Sequence, residues 1–169
     1  MSVSILKPVG AILVALIIFG LAGCRPKSPT LNPVKSVELA EFDRMIHNEA
    51  FSGLVAVIAS WCPPCREELP ELAKLDRHYR DKGIQIVALS IDKDGAKSVQ
   101  QLINESKVDF PVYWVGSQGI AHYKIIGVPT LMIVRNGQLM EIRPGIQSRQ
   151  SIEQHIKSLI SDMAQKSAS

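Results

Sequence analysis

Two patterns of apolar residues follow each other along the chain: short continuous apolar runs, and apolar positions at helical spacing. Their succession predicts strands that are interleaved with helices. Residues 54–59 form a continuous apolar run and residues 84–91 are mostly apolar, as is typical of strands buried on both faces. The apolar positions between them have helical spacing and predict a helix over 62–82 that ends at Gly83. We therefore expect 54–91 to be a right-handed βαβ unit with parallel strands.

The rest of the chain continues this alternation. Further helices are predicted over 37–48, where Ser36 is the expected N-cap, over 95–106, over 119–124, and at the C-terminus. Further strands are predicted over 110–115, 130–134 and 138–143. Asn136-Gly137 between the last two strands is a strong hairpin signal, because both residues tolerate positive φ. The expected fold class is α/β, with a mixed central sheet flanked by helices over residues 37–169.

The N-terminal segment has a different pattern. Pro8 to Gly23 contains no charged residue, Lys7 precedes it, and its apolar run is shorter than the roughly 20 residues of a membrane-spanning helix. These features predict a secretory signal, with an uncleaved membrane anchor as the alternative.

Leu21-Ala22-Gly23-Cys24 resembles the lipobox of bacterial lipoproteins. The resemblance implies a lipoprotein signal peptide over 1–23, a lipid on Cys24, and a folded part held at the membrane on its extracytoplasmic, periplasmic side. Residues 24–36 contain three prolines and no apolar periodicity, so we expect the lipidated Cys24 to be followed by a flexible tether.

Composition narrows the class of protein. Apolar residues make up 46% of the chain and charged residues 21%, which excludes a disordered or low-complexity protein. The formal net charge of +3 is too small to indicate nucleic-acid binding. The chain has three cysteines: Cys24 belongs to the lipobox, and the two that remain, Cys62 and Cys65, are expected to pair with each other.

The sequence Trp61-Cys62-Pro63-Pro64-Cys65 lies where a predicted strand ends and a helix begins. A helix N-terminus favours a thiolate, and the i,i+3 spacing brings the two sulfurs within bonding reach. We expect an exposed Cys62 to attack a substrate disulfide and a sheltered Cys65 to resolve the mixed disulfide. The pair itself is the redox group, so no further cofactor is expected.

With a later Gly127-Val128-Pro129-Thr130, this order of motifs resembles the thioredoxin superfamily over about residues 37–165. The resemblance implies a thioredoxin fold and a cis peptide bond at Pro129, beside the cysteine pair. It also implies that Trp61, Val128 and Pro129 contact an extended substrate segment.

Within the superfamily, the chain is most similar to the membrane-tethered TlpA/ResA-like proteins. An inserted helix and strand at about 95–115 and Glu68, three residues after Cys65, carry this narrower resemblance. Thioredoxin itself has a buried Asp where Ala56 stands, so Glu68 is the candidate proton acceptor. The family implies protein disulfides as substrates, for example in cytochrome c maturation, and a DsbD- or CcdA-like membrane thiol transporter as electron donor.

The dipeptide between the cysteines indicates the direction of electron flow. Pro63 and Pro64 have no backbone N–H, and a nearby Glu68 carboxylate disfavours a thiolate. A less stabilised thiolate means a more persistent disulfide, so we predict a reductant.

Three alternatives remain at this point. The cysteine pair is a structural disulfide, although so short a loop adds little stability; or it binds copper with a distant histidine; or the fold performs peroxidase chemistry. The four histidines lie far apart in sequence and form no local chelating pair: His47, His78, His122 and His155. No metal ligand set is therefore expected.

Overall fold

The structure is a computed structural model that describes residues 32–167. The predicted signal peptide over 1–23, Cys24 and the first part of the predicted tether lie outside the described residues. Within residues 32–167, no helix is long and apolar enough to cross a membrane.

Six strands and five helices alternate along the described chain. The strands are β1 (Lys35–Ser36), β2 (Gly53–Ile58), β3 (Gln85–Ser90), β4 (Val112–Trp114), β5 (Thr130–Arg135) and β6 (Gln138–Pro144). The helices are α1 (Leu39–Ile46), α2 (Pro63–Tyr79), α3 (Ala96–Glu105), α4 (Gln118–His122) and α5 (Arg149–Ser167), and a short 3₁₀ turn over Arg80–Lys82 follows α2. The predicted alternation is confirmed, with element ends displaced by a few residues.

The strands form one mixed sheet in the order β1-β4-β3-β2-β5-β6. The first four strands of this order are parallel, whereas β5 runs antiparallel to β2 and β6 antiparallel to β5. The β5–β6 turn has positive φ at Asn136 (46°) and Gly137 (74°), as the hairpin signal predicted. The parallel β2-α2-β3 unit is also as predicted, and Gly83 ends its helical segment with φ 81°.

Both faces of the sheet are covered by helices. All six residues of β2 are buried, which accounts for its continuous apolar run. Helices α2 and α5 contact each other, whereas α1 and α4 meet where Asp43 accepts hydrogen bonds from His122 and Tyr123. The central strands therefore lie between two helical layers.

The structure differs from the predictions at the start of the domain. Ser36 was expected to cap α1, but it pairs with Trp114 in β1, and Glu38 occupies the N-cap position. The predicted tether extends to residue 36, yet Asn32 already donates side-chain hydrogen bonds to the carbonyls of Val108 (3.2 Å) and Phe110 (2.6 Å). Residues 32–36 are therefore held against the inserted α3–β4 segment, because its carbonyl groups and its free strand edge supply the partners.

Candidate active site

The turn after β2 presents the cysteine pair at the start of α2. The backbone N–H of Cys62 donates to the Ala59 carbonyl at 3.2 Å, so the turn is closed before the helix begins. Cys62 is the N-cap residue with extended backbone angles (φ −99°, ψ 100°), and Pro63 and Pro64 are the first two helical residues. Proline is well tolerated there, because the N–H groups of a first helical turn have no partner within the helix.

Cys62 and Cys65 form a disulfide with their Cα atoms 5.4 Å apart. The Cys62 Sγ also accepts a hydrogen bond from the backbone N–H of Cys65, at 3.2 Å. Because Pro63 and Pro64 carry no N–H, this amide is the only one that the first three residues of α2 offer to the sulfur. Within residues 32–167, the Cys62 Sγ thus has one backbone donor.

The exposure of Cys62 differs from the prediction. Only 2% of Cys62 is exposed, against 0% of Cys65, so the expected order holds but Cys62 is far less accessible than the sequence indicated. The physical reason is its position: the side chain of an N-cap residue folds back over the first turn, and here it is bonded there to Cys65. In the disulfide form, little of Cys62 is therefore accessible to a substrate sulfur.

The peptide bond between Val128 and Pro129 is cis, as predicted. Thr130 begins β5 and pairs with Val57 of β2, so Pro129 lies opposite the end of β2, close to the turn that leads to Cys62. Residue 130 also fixes the preceding loop, because its hydroxyl donates to the Gly127 carbonyl at 2.7 Å. The sheet therefore brings two motifs that are far apart in sequence to the same edge.

Exposed apolar side chains lie on the segments that meet at this edge. Trp61 is 66% exposed, Ile126 85% and Ile146 50%. The segment of Ile146 is joined to the cis-proline loop, because the Gly145 N–H donates to the Pro129 carbonyl at 2.8 Å. Trp61 therefore presents most of its surface to solvent, whereas Val128 is half-buried and Pro129 is buried.

Glu68 is buried on α2, with 3% of its surface exposed. Its Oε1 accepts a hydrogen bond from the Gln147 backbone N–H at 2.7 Å, whereas its Oε2 is buried with no hydrogen-bond partner. Burial raises the pKa of Glu68, and the hydrogen bond from Gln147 opposes this only in part. The carboxyl group is therefore poised to hold a proton one helical turn beyond Cys65.

A second buried carboxylate, that of Asp92, is hydrogen-bonded to the turn that precedes Cys62. Asp92, 2% exposed, follows β3, and both of its oxygens lie 3.1 Å from the Ser60 backbone N–H. The Ser60 hydroxyl donates to Oδ1 at 2.5 Å and the Ser90 hydroxyl to Oδ2 at 2.8 Å. Trp114 of β4 donates its indole N–H to the Asp92 backbone carbonyl at 2.7 Å. Asp92 thus joins the carboxyl ends of the adjacent strands β2, β3 and β4 next to the cysteine turn.

Comparison with known proteins places this geometry in a family. The sequence profile of the Redoxin family matches residues 37–156, which is well over half of the chain. The chain belongs to the Redoxin family. The predicted relation to thioredoxin-fold oxidoreductases of the ResA type is confirmed.

Similar sequences in this group carry the name thiol-disulfide oxidoreductase ResA. The one from Oceanobacillus iheyensis is 34% identical over 104 residues, which are 60% of this chain and 53% of that protein. The one from Bacillus thuringiensis subsp. konkukian is 28% identical over 102 residues, 59% of this chain and 58% of that protein. The match thus spans less than two thirds of the length of these relatives.

Solved structures confirm the thioredoxin-like fold. A thiol:disulfide interchange protein from Chlorobium tepidum superposes with a TM-score of 0.59 at 20% identity, covering 66% of this chain and 81% of that chain. StoA from Bacillus subtilis has a TM-score of 0.56 at 20% identity, covering 64% and 84%. The likeness at this identity concerns the fold alone.

Sequence reasoning named the cysteines, Glu68 and the cis-proline segment, but it missed Asp92 and its partners. One signal was available: Ser60 and Asp92 follow adjacent parallel strands, whose carboxyl ends meet at one edge of a sheet. The exposed Ile126 and Ile146 had no such signal, because their exposure depends on which surfaces the loops leave uncovered.

The structure brings two of the four histidines to one carboxylate. His47 and His122 are distant in sequence, yet both contact Asp43, at 3.3 Å and 2.9 Å respectively. Burial acts to raise the pKa of Asp43, but hydrogen bonds from His122 and Tyr123 outweigh it and leave the pKa lowered. Among residues 32–167, no group of three or more His, Cys, Asp or Glu side chains is arranged to hold a metal ion.

Proposed function

We propose that this Redoxin-family chain is a thiol-disulfide oxidoreductase that reduces protein disulfides outside the cytoplasmic membrane. One observation carries the proposal: the Cys62–Cys65 disulfide lies at the N-terminus of α2, with the cis Val128-Pro129 bond at the same sheet edge. Relatives named thiol-disulfide oxidoreductase ResA support it.

The reaction is a pair of thiol-disulfide exchanges. The Cys62 thiolate of the reduced protein attacks one sulfur of a substrate disulfide, which forms a mixed disulfide and releases the first substrate thiolate. The Cys65 thiolate then attacks the Cys62 sulfur, which releases the second substrate thiolate and forms the Cys62–Cys65 disulfide. Two electrons pass to the substrate, and the oxidised chain described here is the product.

Glu68 is proposed to accept the proton of Cys65 before that second attack. The two residues are one helical turn apart, and burial raises the pKa of Glu68 towards the range in which a carboxylate is an effective base. Its partner-free Oε2 leaves a site for the proton. Thioredoxin has a buried Asp where this chain has Ala56, and we propose that Glu68 performs the role of that Asp here.

The proposed direction is reduction of the substrate. Thiolate-stabilising groups make a dithiol a strong oxidant, because they stabilise its reduced form. Cys62 has one amide donor, is followed by two prolines and is almost fully buried, so its thiolate gains little from the protein. The disulfide form is therefore favoured, and the reduced form gives up its electrons readily.

The substrate is proposed to be an extended protein segment with a disulfide, such as the paired cysteines of an apocytochrome c. Trp61, Ile126 and Ile146 offer apolar contacts, and Val128 offers backbone groups for strand-like pairing before Pro129. A reductant outside the membrane must be re-reduced by a dithiol supplied from inside, so we propose a DsbD- or CcdA-like membrane thiol transporter as the partner. Nucleic acid is not an expected partner, since the net charge is only +3.

The location is proposed from the N-terminal sequence. The apolar segment before the lipobox and Cys24 support export, cleavage before Cys24 and attachment of lipid to that residue. Metabolic labelling with a fatty acid tests this: the wild-type chain is expected to take up label, and Cys24→Ala is expected to accumulate as an unlabelled precursor. Equal labelling of both chains contradicts the proposal.

Trapping of mixed disulfides tests the activity and the assignment of roles. Cys65→Ala is expected to remain covalently joined to its substrates through Cys62, and mass spectrometry of the reductant-sensitive adducts identifies them. The matched control is Cys62→Ala, which keeps one thiol of the pair and is expected to form few adducts. Adducts on Cys62→Ala alone reverse the roles, and adducts on neither contradict the proposed reaction.

A further inference from the structure

The contacts of Asp92 indicate a role beyond packing. Three carboxylates are buried among the described residues, those of Glu68, Asp76 and Asp92. Asp76 forms an ion pair with Arg80, whereas the Asp92 oxygens accept hydrogen bonds from neutral serine groups only. A buried carboxylate without a cation is costly unless its oxygens accept hydrogen bonds, and the Ser60 N–H, the Ser60 hydroxyl and the Ser90 hydroxyl supply these bonds.

These contacts act on the turn that carries the nucleophile. Ser60 stands two residues before Cys62, and it lies 32 residues from Asp92 in sequence. The carboxylate binds both the N–H and the hydroxyl of Ser60, which fixes the backbone where β2 passes into the turn. The Trp114 indole N–H donates to the backbone carbonyl of Asp92 and so holds residue 92 from the side of β4. The inserted strand β4 therefore supports the cysteine turn through residue 92.

The charge is also close to Cys62. The carboxylate lies 3.1 Å from the Ser60 nitrogen, and two further residues of chain place it within about 10 Å of the Cys62 backbone nitrogen. At that distance and an effective dielectric constant of about 20, one negative charge disfavours a thiolate by about one pH unit.

We propose that Asp92 is a positioning residue for the cysteine turn: it fixes Ser60 and places a buried negative charge that disfavours the Cys62 thiolate. This inference rests on the proposed dithiol chemistry of Cys62 and Cys65. It assigns part of the weak stabilisation of the Cys62 thiolate to a residue outside the Cys-Pro-Pro-Cys sequence. The other charged groups on the surrounding elements are the buried Glu68 and the exposed Arg66, Glu67, Lys93, Asp94 and Lys124.

The test separates charge from geometry with a matched control. Asp92→Asn removes the charge and keeps most of the hydrogen bonds: the amide oxygen accepts from the Ser60 N–H and hydroxyl, and the amide nitrogen donates to the Ser90 hydroxyl. Only the second contact of the Ser60 N–H, with Oδ2, is lost. Asp94→Asn removes one charge from the same loop at an exposed position. Ser60→Ala keeps the carboxylate and removes only one of its donors.

The measurement is the rate at which iodoacetamide alkylates Cys62 in the reduced chain, followed against pH by peptide mass spectrometry. We expect the Asp92→Asn profile to move about one unit towards acid, so that alkylation below the midpoint is about tenfold faster than in wild type. Asp94→Asn and Ser60→Ala are expected to stay within about twofold of wild type. Asp92→Ser, a second neutral variant, is expected to shift in the same direction as Asp92→Asn.

Three results overturn the inference. If both neutral variants at residue 92 match Asp94→Asn, the residue is purely structural. If Ser60→Ala shifts the profile as far as Asp92→Asn, loosening of the turn rather than charge explains the effect. If Cys62 of the wild-type chain is not alkylated faster than Cys65 at any pH, the proposed roles of the two cysteines fail first, and the inference falls with them.

Discussion

Reduction of the Cys62–Cys65 disulfide is expected to make the protein less stable, and the size of the effect follows from the structure. The bond joins residues only three apart in sequence, so it closes a very short loop. The chain-entropy relation for such a loop gives a stabilisation of about 2 kcal/mol for the oxidised form, at the low end of the usual range for disulfides. We expect the reduced form to recover little of this, because the Cys62 sulfur has one backbone donor and is almost fully buried.

The stabilisation of the oxidised form also determines the reduction potential of the cysteine pair. A preference of about 2 kcal/mol for the disulfide in the folded state makes the pair about 40 mV more reducing than the same two cysteines in the unfolded chain. A protein that donates electrons to substrates requires this sign, whereas a dedicated oxidant requires a reduced form that is more stable than the oxidised one.

Urea unfolding of the oxidised and the reduced chain at neutral pH measures the difference directly. We expect the oxidised form to have the higher unfolding free energy by about 2 kcal/mol. The control is a chain with both Cys62→Ser and Cys65→Ser, whose unfolding must not respond to the reductant. A reduced form as stable as the oxidised form, or more stable, refutes the argument from the single donor and the two prolines.

Three further predictions follow from individual residues. Pro64→Ala restores a backbone N–H near Cys62, so it is expected to lower the pKa of the Cys62 thiol and raise the reduction potential, measured by equilibration with glutathione; an unchanged potential contradicts the argument. Burial raises the pKa of Glu68, so the folded state binds the proton of this carboxyl group more tightly than the unfolded state does. The stability that Glu68 contributes is therefore present at low pH. It falls as the pH rises from the pKa of the unfolded state to that of the folded state. Relative to Glu68→Gln, wild type is therefore expected to lose at most about 1.4 kcal/mol of unfolding free energy per pH unit in that window, measured by urea titration; a difference that grows with pH is the opposite sign. Gly137→Ala is expected to destabilise by more than about 1 kcal/mol, because φ is +74° and an added Cβ would lie 2.5 Å from the His47 carbonyl oxygen; Gly145→Ala, with φ +85° and no atom within 4 Å, is the milder control in the same denaturation assay.

The sequence alone determined the features of this protein that depend on neighbouring residues. The apolar run of β2, the helical spacing of α2 and the Asn136-Gly137 turn act over a few residues, so their patterns predicted elements that the structure contains. The Cys-x-x-Cys spacing likewise required only one turn of helix to bring its sulfurs together.

Tertiary structure alone decided the contacts that join distant segments. Strand β1 has only two residues and no apolar pattern, and it exists because β4 offers a free edge. Glu68 meets the Gln147 N–H across 79 residues, and Asp92 meets Ser60 across 32. Such pairs leave no local pattern in the sequence, because each residue only needs to be polar and its partner is set by the packing of the whole sheet. The near-complete burial of Cys62 was decided in the same way, by how the chain folds around the start of α2.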